Sequence, residues 1–325
     1  MESLSQTSSS AACVKKVRIG TAGWAYKDWE GIFYPHDLPH RRIHPLEYFA
    51  RFFDTAEITA SFDGPLRPEH VKLWCRRVAS VNRDFLFTAK LSRAFTHSPN
   101  SVLEPTSAAS IRPTDEDEVM TREGLDALAT SGRLGALVIQ FPLSFKNTSL
   151  NRDYLDRLLR QFIEYPRVVE VRDSTWDNPD TIASFMQRNV AFCNIDPPAP
   201  AGSPASIESV SPLAYVRLHG LNVTDWFDSD IRDDRGDYLY KESELPAWKE
   251  KIESAAATAQ TTYVIASNCF ESKAAANALE LKAMLNGKRV PAPPTLIKKY
   301  PELRKFADAS EGSDTDPGPQ ITLLA

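Results

Sequence analysis

Residues 167–173 read RVVEVRD, and their alternation decides the fold. Successive side chains of a strand point to opposite faces, so Glu170 and Arg172 share one face and Val169 and Val171 the other. On either side of this segment lie LNRDYLDRLLRQFIEY (150–165) and NPDTIASFMQRN (178–189), with apolar residues at helical spacing. A short strand between two amphipathic helices is the repeating unit of a parallel sheet.

Working outward, seven further segments have the same character: VRIGTAGW (17–24), TAEITASF (55–62), DFLFTAKL (84–91), GALVIQFP (135–142), VAFCNID (190–196), LAYVRLHG (213–220) and TTYVIASN (261–268). Helical patterns separate most of them, at 44–53, 67–79, 117–130, 242–259 and 273–287. Asn151 and Asn178-Pro179 read as helix starts and Asn286-Gly287 as a stop. The Pro-rich link 197–211 reads as a loop. Eight βα units close a barrel. A doubly wound open sheet is the alternative, but GTAGW (20–24) carries neither G-x-G-x-x-G nor a Walker lysine. The expected fold is α/β, a closed parallel (β/α)8 TIM-type barrel in a single domain.

The chain has 325 residues, 42% of them hydrophobic and 25% charged, which suits a soluble globular protein. Polar composition predicts a disordered segment over 1–13 and a disordered tail over 308–325, with the barrel over 14–290 and a basic helical extension over 291–307. Within that extension, LIKKYPELRKFA (296–307) reads as an amphipathic helix packed on the bottom or side of the barrel. The net charge of −5 disfavours a polyanion as partner, although a local basic mouth could still hold phosphate. Cys13, Cys75, Cys193 and Cys269 are scattered, without C-x-x-C spacing, and read as reduced thiols. No signal-peptide core and no run of about 18 apolar residues is found. The expected location is cytoplasmic, with no membrane partner.

The charged members of the strands fall on one face: Glu57, Thr59 and Ser61; Thr88 and Lys90; Glu170 and Arg172; Asn194 and Asp196; Arg217 and His219. The apolar face must meet the helices, so the polar face is predicted to line the barrel. Burying an unpaired charge costs several kcal/mol, about 3–5 when a partner is missing, so these groups must pair or hold a ligand. One outcome is an ion-pair network of Glu57 and Glu170 with Arg172 and Arg217 that only fills the barrel. The other is a site at the C-terminal mouth, where barrel enzymes keep their active residues. For that site the candidates are Glu57 or Glu170 as general base and His219 as proton donor. Trp24, Lys90, Gln140, Arg172, Asp196, Arg217 and Asn268 are the substrate-binding set. Trp24, Trp29, Trp176 and Trp226 fall in loops or strand ends, where an indole can stack on a sugar or base or pack the loop.

The ordered set IGTAGWAYKDWEGIFYP (19–35), FDTAEI (53–58), LGALVIQFPLSF (134–145), VVEVRDSTW (168–176), YVRLHG (215–220) and SN with NALEL (267–268, 277–281) resembles the YecE-like family, catalogued as domain of unknown function number seventy-two. The resemblance implies a TIM-type barrel and brings no established reaction. Family members often read E-I-N-S-T-F-Y, R-H-P-S-W and F-N-N where this chain has residues 57–63, 172–176 and 266–268. The departures fall at Thr59, Asp63, Asp173, Ala266 and Ser267. Glu57, Glu170, Arg172, Arg217, His219 and Asn268 keep the charged framework.

Among chemistries, a metal site would have to use Glu57, Glu170, Asp196 and His219, for which no ligand spacing exists; of the six histidines only His97 and His219 suit the mouth. Neither metal nor cofactor is indicated. Facing carboxylates with Arg172, Arg217 and Lys90 suit a metal-independent hydrolase, lyase or isomerase on a phosphorylated, sugar or nucleotide-like molecule. The alternatives are a non-catalytic barrel that binds nucleic acid or protein, and a metal-dependent phosphodiesterase or nuclease.

Overall fold

A computed structural model describes residues 15–99, 105–196, 211–221, 236–312 and 321–323. Eight parallel strands run in chain order: β1 (Lys15–Ala22), β2 (Thr55–Ile58), β3 (Leu86–Lys90), β4 (Leu134–Gln140), β5 (Arg167–Glu170), β6 (Val190–Ile195), β7 (Leu213–Leu218) and β8 (Thr261–Ala266). β1 pairs with β8 from Lys16↔Thr261 to Thr21↔Ala266, which closes the barrel. All eight expected segments are strands, and the open-sheet alternative falls.

Helices follow the strands on the outside: α1 (Pro45–Phe49), a single turn α2 (Ala60–Asp63), α3 (Pro68–Val81), α4 (Asp115–Thr130), α5 (Ser149–Gln161), α6 (Pro179–Gln187), α7 (Leu245–Thr258) and α8 (Lys273–Asn286). α5 buries Leu155, Leu158 and Leu159, a stripe that meets Val169 and Val171 in one outer core. Asn178 caps α6 by accepting from the Thr181 N–H at 2.9 Å, with Pro179 at the first helical position. Gly287 ends α8 at φ +64°. Asn151 is not a helix start: Thr148 is the cap, accepting from the Asn151 N–H.

Strand parity holds in β3, β5 and β7, with Thr88, Glu170 and Arg217 inward. Two expectations fail. In the second segment the strand stops at Ile58, because Ser61 Oγ donates to the Ile58 carbonyl at 2.9 Å and closes a turn, so Thr59 and Ser61 do not continue the face of Glu57. In β6 the inward set is Ala191, Cys193 and Ile195, which leaves Asn194 on the face of Phe192. The interior is also less polar than its reading: Ala136, Val138, Val168, Tyr215, Tyr263 and Ile265 line it, with the buried Arg18 near its lower end donating to the Asp84 carbonyl.

The basic extension is not one helix. α9 (Pro294–Lys299) gives way at Pro301, which lacks an N–H, to a 3-10 turn at Pro301–Lys305. Leu296, Ile297 and Leu303 are buried, and the segment lies beside α8 rather than below the barrel. Two of its cations are paired, Lys299 with Glu271 and Lys305 with Glu242. Reaching into the span 308–325 expected to be a disordered tail, Ala307–Ala309 pairs with Val290–Ala292, and within that span Ile321–Leu323 pairs antiparallel with the start of β1. That expectation is corrected for these segments: the first half of β1 has no pairing with β2, which leaves backbone groups that a strand can satisfy. The link 197–210, Cys13 and Trp226 lie outside the described residues. No helix among those described is long and apolar enough to cross a membrane.

Candidate functional site

Arg217, the fifth residue of β7, is only 3% exposed and its guanidinium is the hub of the upper barrel. Nη1 donates to Gln140 Oε1 at 2.6 Å and to Glu170 Oε2 at 2.8 Å, Nη2 to Glu57 Oε1 at 2.8 Å, and Nε to Ser267 Oγ at 2.9 Å. Side chains from β2, β4 and β5, and Ser267 just past β8, therefore meet one planar cation, whose fork of donors suits several acceptors at once. The other oxygen of Glu57 accepts from the Tyr215 hydroxyl at 2.9 Å, and that hydroxyl lies 2.9 Å from Thr88 Oγ1. Glu57 and Glu170 are both wholly buried.

Above this layer the side chains become accessible. Glu170 Oε1 accepts from Arg172 Nε at 3.2 Å and lies 3.1 Å from His219 Nε2, and the side chains of Arg172 and His219 are 14% and 13% exposed. Burial alone would raise the pKa of Glu170, but Arg217, His219 and Arg172 overcome it and hold the carboxyl well below the usual carboxylate range. Burial pushes His219 down to about 4, with Glu170 pulling back and Arg217 adding to the effect. The ring is neutral near pH 7 and donates a hydrogen bond from its Nε2–H to the carboxylate, which can only accept. With the imidazole uncharged, the two guanidiniums are the cations that keep Glu170 ionised.

Lys90 ends β3 on the face of Thr88. Among the described residues its ammonium has no hydrogen-bond or ion-pair partner; it sits 5.2 Å from the Phe62 ring centroid. Burial and the nearby Arg217 push it down to about 8, against the pull of Glu57 and Glu170.

Asp196 stands just past β6 and serves the backbone. It accepts from the His219 N–H at 2.6 Å, from the Gly220 N–H at 3.2 Å and from the Tyr240 hydroxyl. Burial pushes it up to about 7, with those two N–H groups opposing. Gly220 lies at φ +97°, and a Cβ there would fall 2.7 Å from Tyr238 Cβ, so both conformation and space require glycine. Asp196 thus fixes the turn that carries His219.

Glu57, Lys90, Gln140, Glu170, Arg172, Arg217 and His219 are brought together at the mouth. Three of the expected binding residues are not: Asp196, which serves the 219–220 turn, Asn268 and Trp24. Asn268 is wholly buried and donates to the Tyr238 carbonyl at 2.8 Å and to Asn277 Oδ1 at 2.9 Å, which holds the 238–240 segment against α8. Trp24 packs among Trp74 and Phe87 in the outer core. Trp29 and Trp176 are likewise packing residues, with their indoles donating to the carbonyls of Cys269 and Phe145. The residues missed are Ser267 and Tyr215. Parity would have found both, since 263, 265 and 267 point inward on β8 while 264, 266 and 268 point outward, and Tyr215 shares its face with Arg217.

Both oxygens of Glu57, Glu170 and Asp196 are committed to protein donors, so the carboxylates once considered as metal ligands are occupied. Among the described residues no group of three or more His, Cys, Asp or Glu is placed to hold an ion.

A family model described as "Protein of unknown function DUF72" matches residues 18–299, nearly the whole barrel. The chain belongs to the DUF72 family. UPF0759 protein YunF of Bacillus subtilis (strain 168) is 23% identical over 284 residues, which is 83% of this chain and 95% of that protein. A DUF72 family protein from Thermotoga maritima MSB8 has a crystal structure that superposes with a TM-score of 0.71 at 29% identity, covering 83% of this chain and 99% of that one. Another from Enterococcus faecalis V583 gives 0.66 at 21% identity, covering 84% and 98%. The barrel described above is thus the DUF72 fold, and the Arg217 hub lies inside the matched span.

Proposed function

We propose that this DUF72 barrel is an enzyme acting on a small anionic molecule of phosphorylated, sugar or nucleotide-like type. The reaction class is that of a hydrolase, lyase or isomerase working by proton transfer through its own side chains. One observation carries the reading: Arg217 and Arg172 already balance the two buried carboxylates Glu57 and Glu170, and Lys90 is left at the mouth as a further cation. Glu57 and Glu170 face Arg217 below, while Arg172 and Lys90 stand above with a neutral His219. A network serving only to fill the barrel has no use for the further cation Lys90, whereas an anion has.

Roles follow from acidity. Glu170, held well below the usual range, is a poor general base, and its part is to fix His219 and Arg172. His219 near pH 7 is a hydrogen-bonding imidazole rather than a proton donor. Lys90, at about 8, changes protonation near physiological pH and faces the mouth, unlike Asp196, which is committed to the 219–220 turn, and so is matched to proton transfer. Calorimetric titration with sulfate, phosphosugars and mononucleotides tests the reading on wild type and Arg172→Ala. Binding of a phosphorylated small molecule that weakens in the variant supports it. Equal affinities in both proteins would retire the site, and binding restricted to long oligonucleotides would favour a binding module over an enzyme.

A further inference from the structure

We propose that Lys90 is a nucleophile that forms an imine with its substrate, so that the substrate is a small aldehyde or ketone carrying an anionic group. This rests on the mouth being the active site and names the substrate class for it.

The argument begins with what Lys90 does not do. A lysine among buried carboxylates ordinarily pairs with one of them. Here the carboxylates are already taken: Glu57 by Arg217 and Tyr215, Glu170 by Arg217, Arg172 and His219. The hub leaves Lys90 without an acceptor among the described residues. Its ammonium lies against the Phe62 ring, in the field of Arg217 and Arg172. Desolvation and like charge both disfavour the protonated amine, and these are the two devices that turn a lysine into a nucleophile. Position agrees. Lys90 closes β3 one inward step above Thr88, whose hydroxyl meets Tyr215, so the amine overlooks the polar layer from the open end of the barrel.

The chemistry balances without a further reactant. The neutral amine attacks the carbonyl carbon, forming the C–N bond, and the proton that the nitrogen sheds passes to the carbonyl oxygen. A second proton, taken from solvent at the open mouth, lets the C–O bond of the carbinolamine break with loss of water, and the nitrogen lone pair closes the C=N bond. The protonated imine draws electrons from the adjacent carbon, which permits cleavage or proton migration there. Addition of water reverses the sequence and returns the amine. Arg172 would hold the anionic end of the molecule.

Reductive trapping tests this. Wild-type protein is incubated with dihydroxyacetone phosphate, glycolaldehyde phosphate or pyruvate in the presence of cyanoborohydride, and the adduct is mapped by peptide mass spectrometry. The expected result is one dominant adduct, on Lys90, absent from Lys90→Arg, with uptake rising through about pH 8. Adducts spread over surface lysines with Lys90 unlabelled would overturn the proposal. If Lys90 stays unlabelled while wild type still binds phosphosugars by calorimetry, the imine falls and the anion site stands. If labelling and binding are both absent, both fall.

Discussion

Arg217 Nη1 donates to Glu170 Oε2 at 2.8 Å and so ties β7 to β5, two strands that share no ladder. The same side chain reaches Glu57 on β2, across the barrel. Removing it leaves two buried carboxylates facing each other. Arg217→Leu should therefore destabilise the fold by about 3–5 kcal/mol, the cost of breaking a buried pair. Arg217→Lys should recover only part of this, since one ammonium cannot reach Gln140, Ser267 and both carboxylates. Urea denaturation checks both, and a loss below about 1 kcal/mol for Arg217→Leu would contradict the hub.

Arg172 differs because Glu170 keeps Arg217 and His219 when Arg172 is lost. Arg172→Ala should cost only about 1 kcal/mol of stability, while weakening binding of a phosphorylated ligand by about 10–100-fold, the worth of a charge-assisted hydrogen bond. Calorimetry and denaturation on the same sample separate the two effects. A large stability loss with unchanged binding would make Arg172 a structural residue.

His219 and Asp196, joined by a 2.6 Å hydrogen bond, pull stability in opposite directions with pH. His219 titrates near 4 in the fold against 6.5 unfolded, so the folded state holds fewer protons between those values and its contribution rises with pH. Asp196 titrates near 7 against 3.8, so the folded state holds more protons and its contribution falls as pH rises through the same window. His219→Gln removes the rising part. Its deficit against wild type should be larger at pH 7 than at pH 5 in parallel urea titrations. An equal deficit at both values would mean that His219 is not held neutral by the fold.

Ser267 and Asn268 are neighbours with opposite destinations. Ser267→Ala strands Arg217 Nε beside the site and should cost about 1.5–3 kcal/mol, as for a hydrogen bond to a charged group, with weakened ligand binding. Asn268→Ala takes the donor from the Tyr238 carbonyl and one of two donors from Asn277 Oδ1, and loosens the 238–240 segment. It should cost about 1–3 kcal/mol and leave affinity for phosphosugars unchanged. Paired denaturation and calorimetry distinguish them, and the reverse pattern would mean that the strand parity at β8 is wrong.

The barrel was legible in the chain because its rule is local. Each βα unit shows its own period, two in RVVEVRD and about 3.6 in the helix that follows, and the number of units fixes closure. Glu57, Glu170, Arg172 and Arg217 were legible for the same reason, as charges on the inward face of apolar strands. Where a side chain overrode the local period, the reading failed. Ser61 closes a turn that ends β2, and Pro301 divides the extension. Asn268 falls one residue out of phase with the interior, so its neighbour Ser267 takes the place at the hub.

What the sequence by itself determined is thus the closed barrel and the charged inventory of its upper layer, both set by patterns within a few residues. Only the tertiary structure decided how that inventory is shared. Arg217 takes both carboxylates, the turn at Gly220 fixes His219, and Lys90 is left without an acceptor among the described residues. The physical reason is that a hydrogen bond between β7 and β2 depends on where two strands meet around a closed barrel, more than 150 residues apart in the chain. No spacing along the sequence encodes which of several nearby charges will reach the other first.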